Sequence, residues 1–238
     1  MRLPVFFSLF LMTSGLMAQI PLTSHYLEIG LSAGPNNYSG DLAEKTFVLK
    51  ETRLGFGAFA RYHFSNQFAI KGQVYWGNIA GTDKNASDPE LQERSFEFTS
   101  NLFEASVMGE WNFLNINSSR ENGLDVYKMV PYLMVGIGGV ISQPSVNYYG
   151  NPDEYDIHVR HALPENGKRR TKALTIPFGA GIRRQINEIL VLGGEGCWRP
   201  VLSDDLDGVS LNGNPKRRDW FFSLQLSASV VLAKKKSI

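Results

Sequence analysis

The stretch that most restricts this chain is Arg53 to Gly77, which reads RLGFGAFARYHF, then SNQ, then FAIKGQVYWG. Side chains of a strand alternate between two faces, so period two sorts each arm. In the first arm Leu54, Phe56, Ala58, Ala60, Tyr62 and Phe64 share one face, and Gly55, Gly57, Phe59, Arg61 and His63 the other. In the second arm Phe68, Ile70, Gly72, Val74 and Trp76 oppose Ala69, Lys71, Gln73 and Tyr75. Each arm is longer than a common soluble strand of about five or six residues. Each matches the roughly 9–11 residues that cross a bilayer as a tilted strand. Aromatic residues mark both ends, as where membrane strands meet the two interfaces. A soluble sandwich with one buried apolar face would show the same alternation.

The first residues weigh toward the membrane. MRLPVFFSLFLMTSGLMAQ has Arg2, an apolar run from Leu3 to Met12 and a small-residue stretch ending at Ala18. It reads as a secretory signal peptide cleaved after Ala18. No other stretch approaches 18 continuous apolar residues, so a mature chain that stays in a membrane must do so as a closed barrel. The 24 basic residues less Arg2 leave 23, against 23 acidic ones, a balance with no pull toward nucleic acid. The single cysteine, Cys197, excludes an intramolecular disulfide framework.

The periodicity predicts eight strands: Tyr26–Gly34, Arg53–Phe64, Phe68–Gly77, Asn101–Phe113, Val130–Ile141, Ala173–Ile186, Ile189–Pro200 and Asp219–Leu232. The connections alternate long, short, long, medium, long, short, long. The expected fold is therefore all-β: an eight-stranded antiparallel transmembrane barrel of the outer-membrane type, residues 19–238. Long loops lie outside, and short turns and both termini lie in the periplasm. Such a barrel is just wide enough inside for side chains to fill. The inward set holds Glu28, Glu104, Glu110 and Glu195 against Arg61, Lys71, Arg183 and Arg199. Buried charges are costly unless paired, so these eight are expected to form a salt-bridged plug. A proton or ion path is the sharper alternative.

Enzymatic chemistry finds little support. His25 and His63 fall near the periplasmic end, and His158 and His161 lie in a loop without a paired serine motif. Asp204, Asp205 and Asp207 in SDDLDG lack the spacing of an EF-hand calcium loop. Cys197 faces inward by parity, as inert packing. No catalytic group, metal or cofactor is expected.

Certain segments carry a resemblance. NNYSGDL at Asn36–Leu42, and Glu195-x-x-x-Arg199 leading into Asp204-Asp205-Leu206-Asp207-Gly208-Val209-Ser210, are the most specific. With RLGFGAFARYHFSNQFAIKGQVYWGNIAGTD, RSFEFTSNLFEASVMGEWNF, PYLMVGIGG and IPFGAGIRRQI, they resemble the DUF6089 family of Bacteroidetes outer-membrane barrels. That family includes the PorG-like components of the type IX secretion system. Where it usually has a tyrosine ahead of the aspartates, this chain has serine and aspartate. Asp204, Asp205, Asp207, Gly208 and Ser210 form the family-motif loop. The resemblance implies a non-enzymatic outer-membrane part of a protein-transport machine, exported through the Sec pathway. Its implied partners are periplasmic ring proteins like PorK and PorN. Leu114–Met129 is the one periplasmic connection with length and mixed charge, so Arg120, Glu121, Asp125, Tyr127 and Lys128 are the expected contact. Other classes remain open: an adhesin acting through Ser142–Lys172, or a lipid-modifying enzyme, which would need a rim Ser–His pair.

Overall fold

The computed structural model describes residues 25–39, 49–85, 95–113, 120–121, 124–125, 129–150, 170–187, 189–203, 206 and 219–235. Its strands are β1 (His25–Ser39), β2 (Arg53–His63), β3 (Phe68–Thr82), β4 (Phe96–Trp111), β5 (Arg120–Glu121), β6 (Leu124–Asp125), β7 (Met129–Tyr148), β8 (Thr171–Thr175), β9 (Phe178–Gln185), β10 (Leu190–Pro200) and β11 (Trp220–Lys235). All main-sheet pairings are antiparallel, in the order β4-β3-β2-β1-β11-β10-β9-β7-β8. A further pairing of β4 with β7 closes the ring. β8 and β9 are two pieces of one stave, so the ring has eight staves. The strands β5 and β6 form a separate two-stranded sheet.

The sixth stave was expected unbroken from Ala173 to Ile186, and here the structure differs. Ile176 and Pro177 interrupt it. Proline has no N–H to give to the ladder, which weakens the pairing at this point. Pro177 still accepts from Gly136 N at 2.8 Å, and Ile176 N donates to the Pro200 carbonyl. Side-chain parity runs through the break, with Thr175 and Pro177 buried and Ile176 and Phe178 exposed.

Short turns join β2 to β3 and β9 to β10. Ser65 Oγ accepts from Gln67 N and Phe68 N at 3.2 and 2.9 Å. Asn187 Oδ1 accepts from Ile189 N and Leu190 N at 2.9 and 2.7 Å. Both are side-chain mimics of a backbone turn, which explains why Ser and Asn stand there. The link between β4 and β7 lies at this same end.

At the opposite end β8 starts two residues early, at Thr171, and four further strands outrun the sequence expectation by more. β1 continues through Pro35 to Ser39, β3 to Thr82 and β7 to Tyr148, and β4 starts at Phe96. β7 alone has 20 residues, about twice what a bilayer crossing needs. The extra length is stabilised from within. Tyr38, Tyr75, Ile79, Phe96, Phe98, Leu102, Val140, Val201, Leu206 and Phe221 form one buried apolar cluster inside the loop end of the barrel.

The outer surface is the reverse of a soluble protein's. Leu31, Val107, Ile137 and Leu226 are 68, 51, 73 and 75% exposed. Exposed apolar patches of that extent mark a binding or membrane surface. Aromatic residues border the band. Phe56 stacks on Trp76, and Phe178 and Phe222 pack on Trp198, toward the loops. Phe64 stacks on Phe68, and Trp111 packs on Phe113, beside the short turns. An apolar band between two aromatic girdles is the surface of a membrane-spanning barrel.

Candidate functional site

The interior has two tiers. In the tier nearer the short turns, Glu110 of β4 is the hub. Its carboxylate accepts from Arg61 Nε at 3.0 Å and from Arg183 Nη1 at 2.8 Å, with Lys71 Nζ 4.0 Å away. Arg61 Nη1 also donates to Glu28 Oε2 at 2.8 Å. Glu28 further contacts His63 Nε2 at 3.0 Å and Ser229 Oγ at 3.3 Å. Arg183 Nη2 donates to Asn112 Oδ1 at 2.7 Å. Lys71 Nζ reaches both oxygens of Glu195, at 2.9 and 2.7 Å, and the Tyr132 hydroxyl donates to Glu195 at 2.8 Å. The Arg61 and Arg183 guanidiniums lie 5.6 and 4.9 Å from the centroid of the Tyr132 ring. That ring supplies cation–π attraction to the two cations. The network ties together β1, β2, β3, β4, β7, β9, β10 and β11, so every stave contributes.

The second unit stands above it. Arg199 Nε lies 3.0 Å from Glu104 Oε2, an ion pair whose angle falls short of a hydrogen bond. Arg199 also donates to Ser223 Oγ, and its guanidinium lies 4.6 Å from the Tyr75 centroid and 5.3 Å from that of Phe221. Arg199 is thus the floor of the apolar cluster. Room for these large groups comes from glycine. A Cβ on Gly181 would overlap the Tyr132 ring, and one on Gly55 would overlap the Tyr75 hydroxyl.

All eight charged residues singled out in the sequence are buried in the lumen. They are not one chain. Six are joined through Glu110, while Glu104 and Arg199 form their own pair. Glu195 and Arg199, two steps apart on one strand, bond to different partners. His63, Asn112, Tyr132 and Ser229 join the charged set. Each sits at inward parity and could have been found by extending the inward set to uncharged hydrogen-bonding side chains.

Family-motif residues act at the loop end. Tyr75 donates its hydroxyl proton to Asn36 Oδ1, and Tyr38 donates to Asp219 Oδ1 at 2.6 Å. Asp219 Oδ2 accepts from Leu206 N at 3.0 Å, which seats Leu206 in the apolar cluster. Asp204, Asp205, Asp207, Gly208 and Ser210 lie outside the described residues. A Tyr38→Phe variant leaves a buried carboxylate one donor short. The expected cost is about 1–3 kcal/mol, read as a lower urea midpoint of the folded barrel; an unchanged midpoint would mean that the hydroxyl contributes nothing.

Of the expected partner contact, Arg120 and Glu121 form β5 and Asp125 lies in β6, with Arg120 opposite Asp125 in register. Tyr127 and Lys128 lie outside the described residues, as do His158 and His161. Cys197 is buried beside Met108, Tyr132 and Met134. Among the described residues no three His, Cys, Asp or Glu side chains are grouped to hold a metal ion.

A family model described as a domain of unknown function, DUF6089, matches residues 4–228. This chain belongs to the DUF6089 family. No curated protein is similar enough to be matched to it. Among solved structures, the attachment invasion locus protein Ail of Yersinia pestis is 11% identical with a TM-score of 0.45, covering 89% of this chain and 100% of that one. Neisserial surface protein A is 10% identical with a TM-score of 0.48, covering 86% and 96%. OprG of Pseudomonas aeruginosa is 8% identical with a TM-score of 0.43, covering 90% and 97%. At that distance these likenesses say nothing of what this chain binds or does.

Proposed function

We propose that this DUF6089 barrel is a non-enzymatic outer-membrane component of the type IX protein secretion machinery, anchoring PorK- and PorN-like ring proteins to the membrane from the periplasmic side. The observation that carries the reading is the filled lumen. Glu28, Arg61, Lys71, Glu110, Arg183 and Glu195 span one tier and ten apolar residues occupy the other. A barrel stitched shut by large paired side chains has no channel to offer, so its use is as a fixed body in the membrane. The type IX assignment draws on family membership and on the family's PorG-like members.

In this orientation the short turns face the periplasm and the extended strands face outward, as in outer-membrane barrels generally. The link between β4 and β7 then faces the ring. There Arg120 and Glu121 of β5 pair in register with Asp125 and Leu124 of β6, and Tyr127 and Lys128 follow in the chain. Replacing residues 114–128 with a short Gly/Ser linker is expected to abolish co-purification with the ring proteins. The barrel should keep the gel shift on heating that marks a folded barrel. Full co-purification by that variant would reject the anchoring role.

A further inference from the structure

The outward faces of β4, β7 and β8 change chemistry in one order as they leave the apolar band. On β4 Val107, Ala105 and Phe103 give way to Asn101 and Thr99, all exposed. On β7 Ile137, Gly139 and Ile141 give way to Gln143 and Ser145. On β8 Leu174 is followed by Lys172, with Arg170 just before the strand, both cations exposed. The changes are in register: Phe103 pairs with Ile141 and Ile141 with Lys172, while Asn101 pairs with Gln143 and Thr99 with Ser145. Leu174 and Ile137, below the cations, are 65 and 73% exposed.

Arg170 is held in place. With the Gln143 amide turned so that its oxygen faces Arg170, that oxygen accepts from Arg170 Nη2 at 2.7 Å and Nε at 2.8 Å. Neither Lys172 nor Arg170 pairs with a carboxylate among the described residues. The acid beyond Asn101 on β4, Glu97, lies 3.8 Å from Lys84 instead. Two cations at the rim of a lipid-facing surface attract a phosphate, with the guanidinium as a planar fork and the ammonium as a point charge. Above them stand amides and hydroxyls, groups that hydrogen-bond neutral hydroxyls. The polar face continues from Asn101 past Thr99 and from Gln143 past Ser145 to Asn147, roughly 13 Å of strand at about 3.3 Å per residue. That is deeper than one phosphate headgroup and suits a sugar-bearing one.

We propose that this patch binds one anionic glycolipid of the outer leaflet. Its acyl chains lie on Leu174 and Ile137, its phosphate meets Lys172 and Arg170, and its sugar hydroxyls meet Asn101, Thr99 and Ser145. The surface that touches acyl chains continues without interruption along the same strands, so the occupant is itself a membrane lipid. The inference rests on the loops-outward orientation proposed above and is independent of any ring partner.

The test is native mass spectrometry of the purified barrel with two probes, lipid A carrying a short core oligosaccharide and phosphatidylglycerol. The wild-type barrel is expected to hold the first at least tenfold more tightly. Lys172→Gln with Arg170→Gln should weaken glycolipid binding about tenfold, and Lys172→Arg should keep it. Asn101→Ala with Ser145→Ala should weaken the glycolipid severalfold and leave phosphatidylglycerol unchanged. Equal binding of both lipids, or glycolipid binding indifferent to the paired Gln variant while the barrel stays folded, would overturn the proposal. The barrel lacking residues 114–128 should bind the glycolipid as the wild type does, which separates this result from the ring pull-down. Labelling of Tyr149→Cys, exposed just past β7 and outside the proposed contact, on intact cells by an impermeant maleimide checks the orientation by itself; protection from the label would also overturn the proposal.

Discussion

Glu110→Ala is expected to destabilise the folded barrel by about 3–5 kcal/mol, the range for removing one partner of a buried ion pair. Two guanidiniums and an ammonium converge on that carboxylate, from β2, β9 and β3. Without it these cations face one another in a packed lumen, and Arg183 keeps the Asn112 oxygen and the Tyr132 ring. At 1.4 kcal/mol per factor of ten, the folded population relative to the unfolded falls by roughly two to four decades. Urea unfolding of the barrel in lipid vesicles measures the loss. The contrast is Glu97→Ala, which breaks a pair with Lys84 whose side chains are 43 and 56% exposed. Exposed pairs contribute about 0–1 kcal/mol, so that variant should barely move the midpoint. Equal midpoints for the two variants would mean that the interior pairs do not hold the staves together.

Val107→Arg is the second large effect, expected at about 2–4 kcal/mol for an arginine at the bilayer midplane. Val107 is an outward residue of β4 midway between the outward aromatic residues Phe103 and Trp111, and is 51% exposed. In water such a substitution on an exposed strand face would be nearly neutral. Thr99→Arg, on the same face but past the rim, should cost no more than about 1 kcal/mol. The same denaturation assay distinguishes them, and a neutral Val107→Arg would mean that this face does not meet lipid.

Much of this was legible because period two is a local rule. Parity alone puts Glu28, Arg61, Lys71, Glu104, Glu110, Arg183, Glu195 and Arg199 on the inner face, and all eight are buried there. Parity says nothing of height or of which stave stands across the lumen. The bond from Lys71 to Glu195 joins residues 124 apart in sequence, and no local pattern specifies it. The strand ends escape the periodicity for a different reason. Within the band the outward residues are apolar, as Phe103 and Val107 on β4 or Ile137 on β7. Beyond the rim the phase inverts, and Phe96, Phe98, Leu102 and Val146 turn their apolar side chains inward. A single-phase reading therefore stops at Asn101 and Ile141 and takes the rest for loop. Pro35 and Pro177 mislead in opposite directions. Pro35 looks like a strand end, yet its neighbours keep pairing with β2 through Asn36. Pro177 sits in an apparently continuous strand, yet the strand is interrupted at Ile176 and Pro177.

The most direct test of the account is a spin-label scan along β4, from Asn101 to Trp111, in lipid vesicles and in a Cys197→Ser background. A barrel that is apolar outside and charge-paired within predicts a strict period of two. Odd positions should be accessible to dissolved oxygen, and even positions, including Glu104, Ser106 and Glu110, to neither oxygen nor a water-soluble nickel chelate. A flat profile, or odd positions near Val107 open to the chelate, would contradict it.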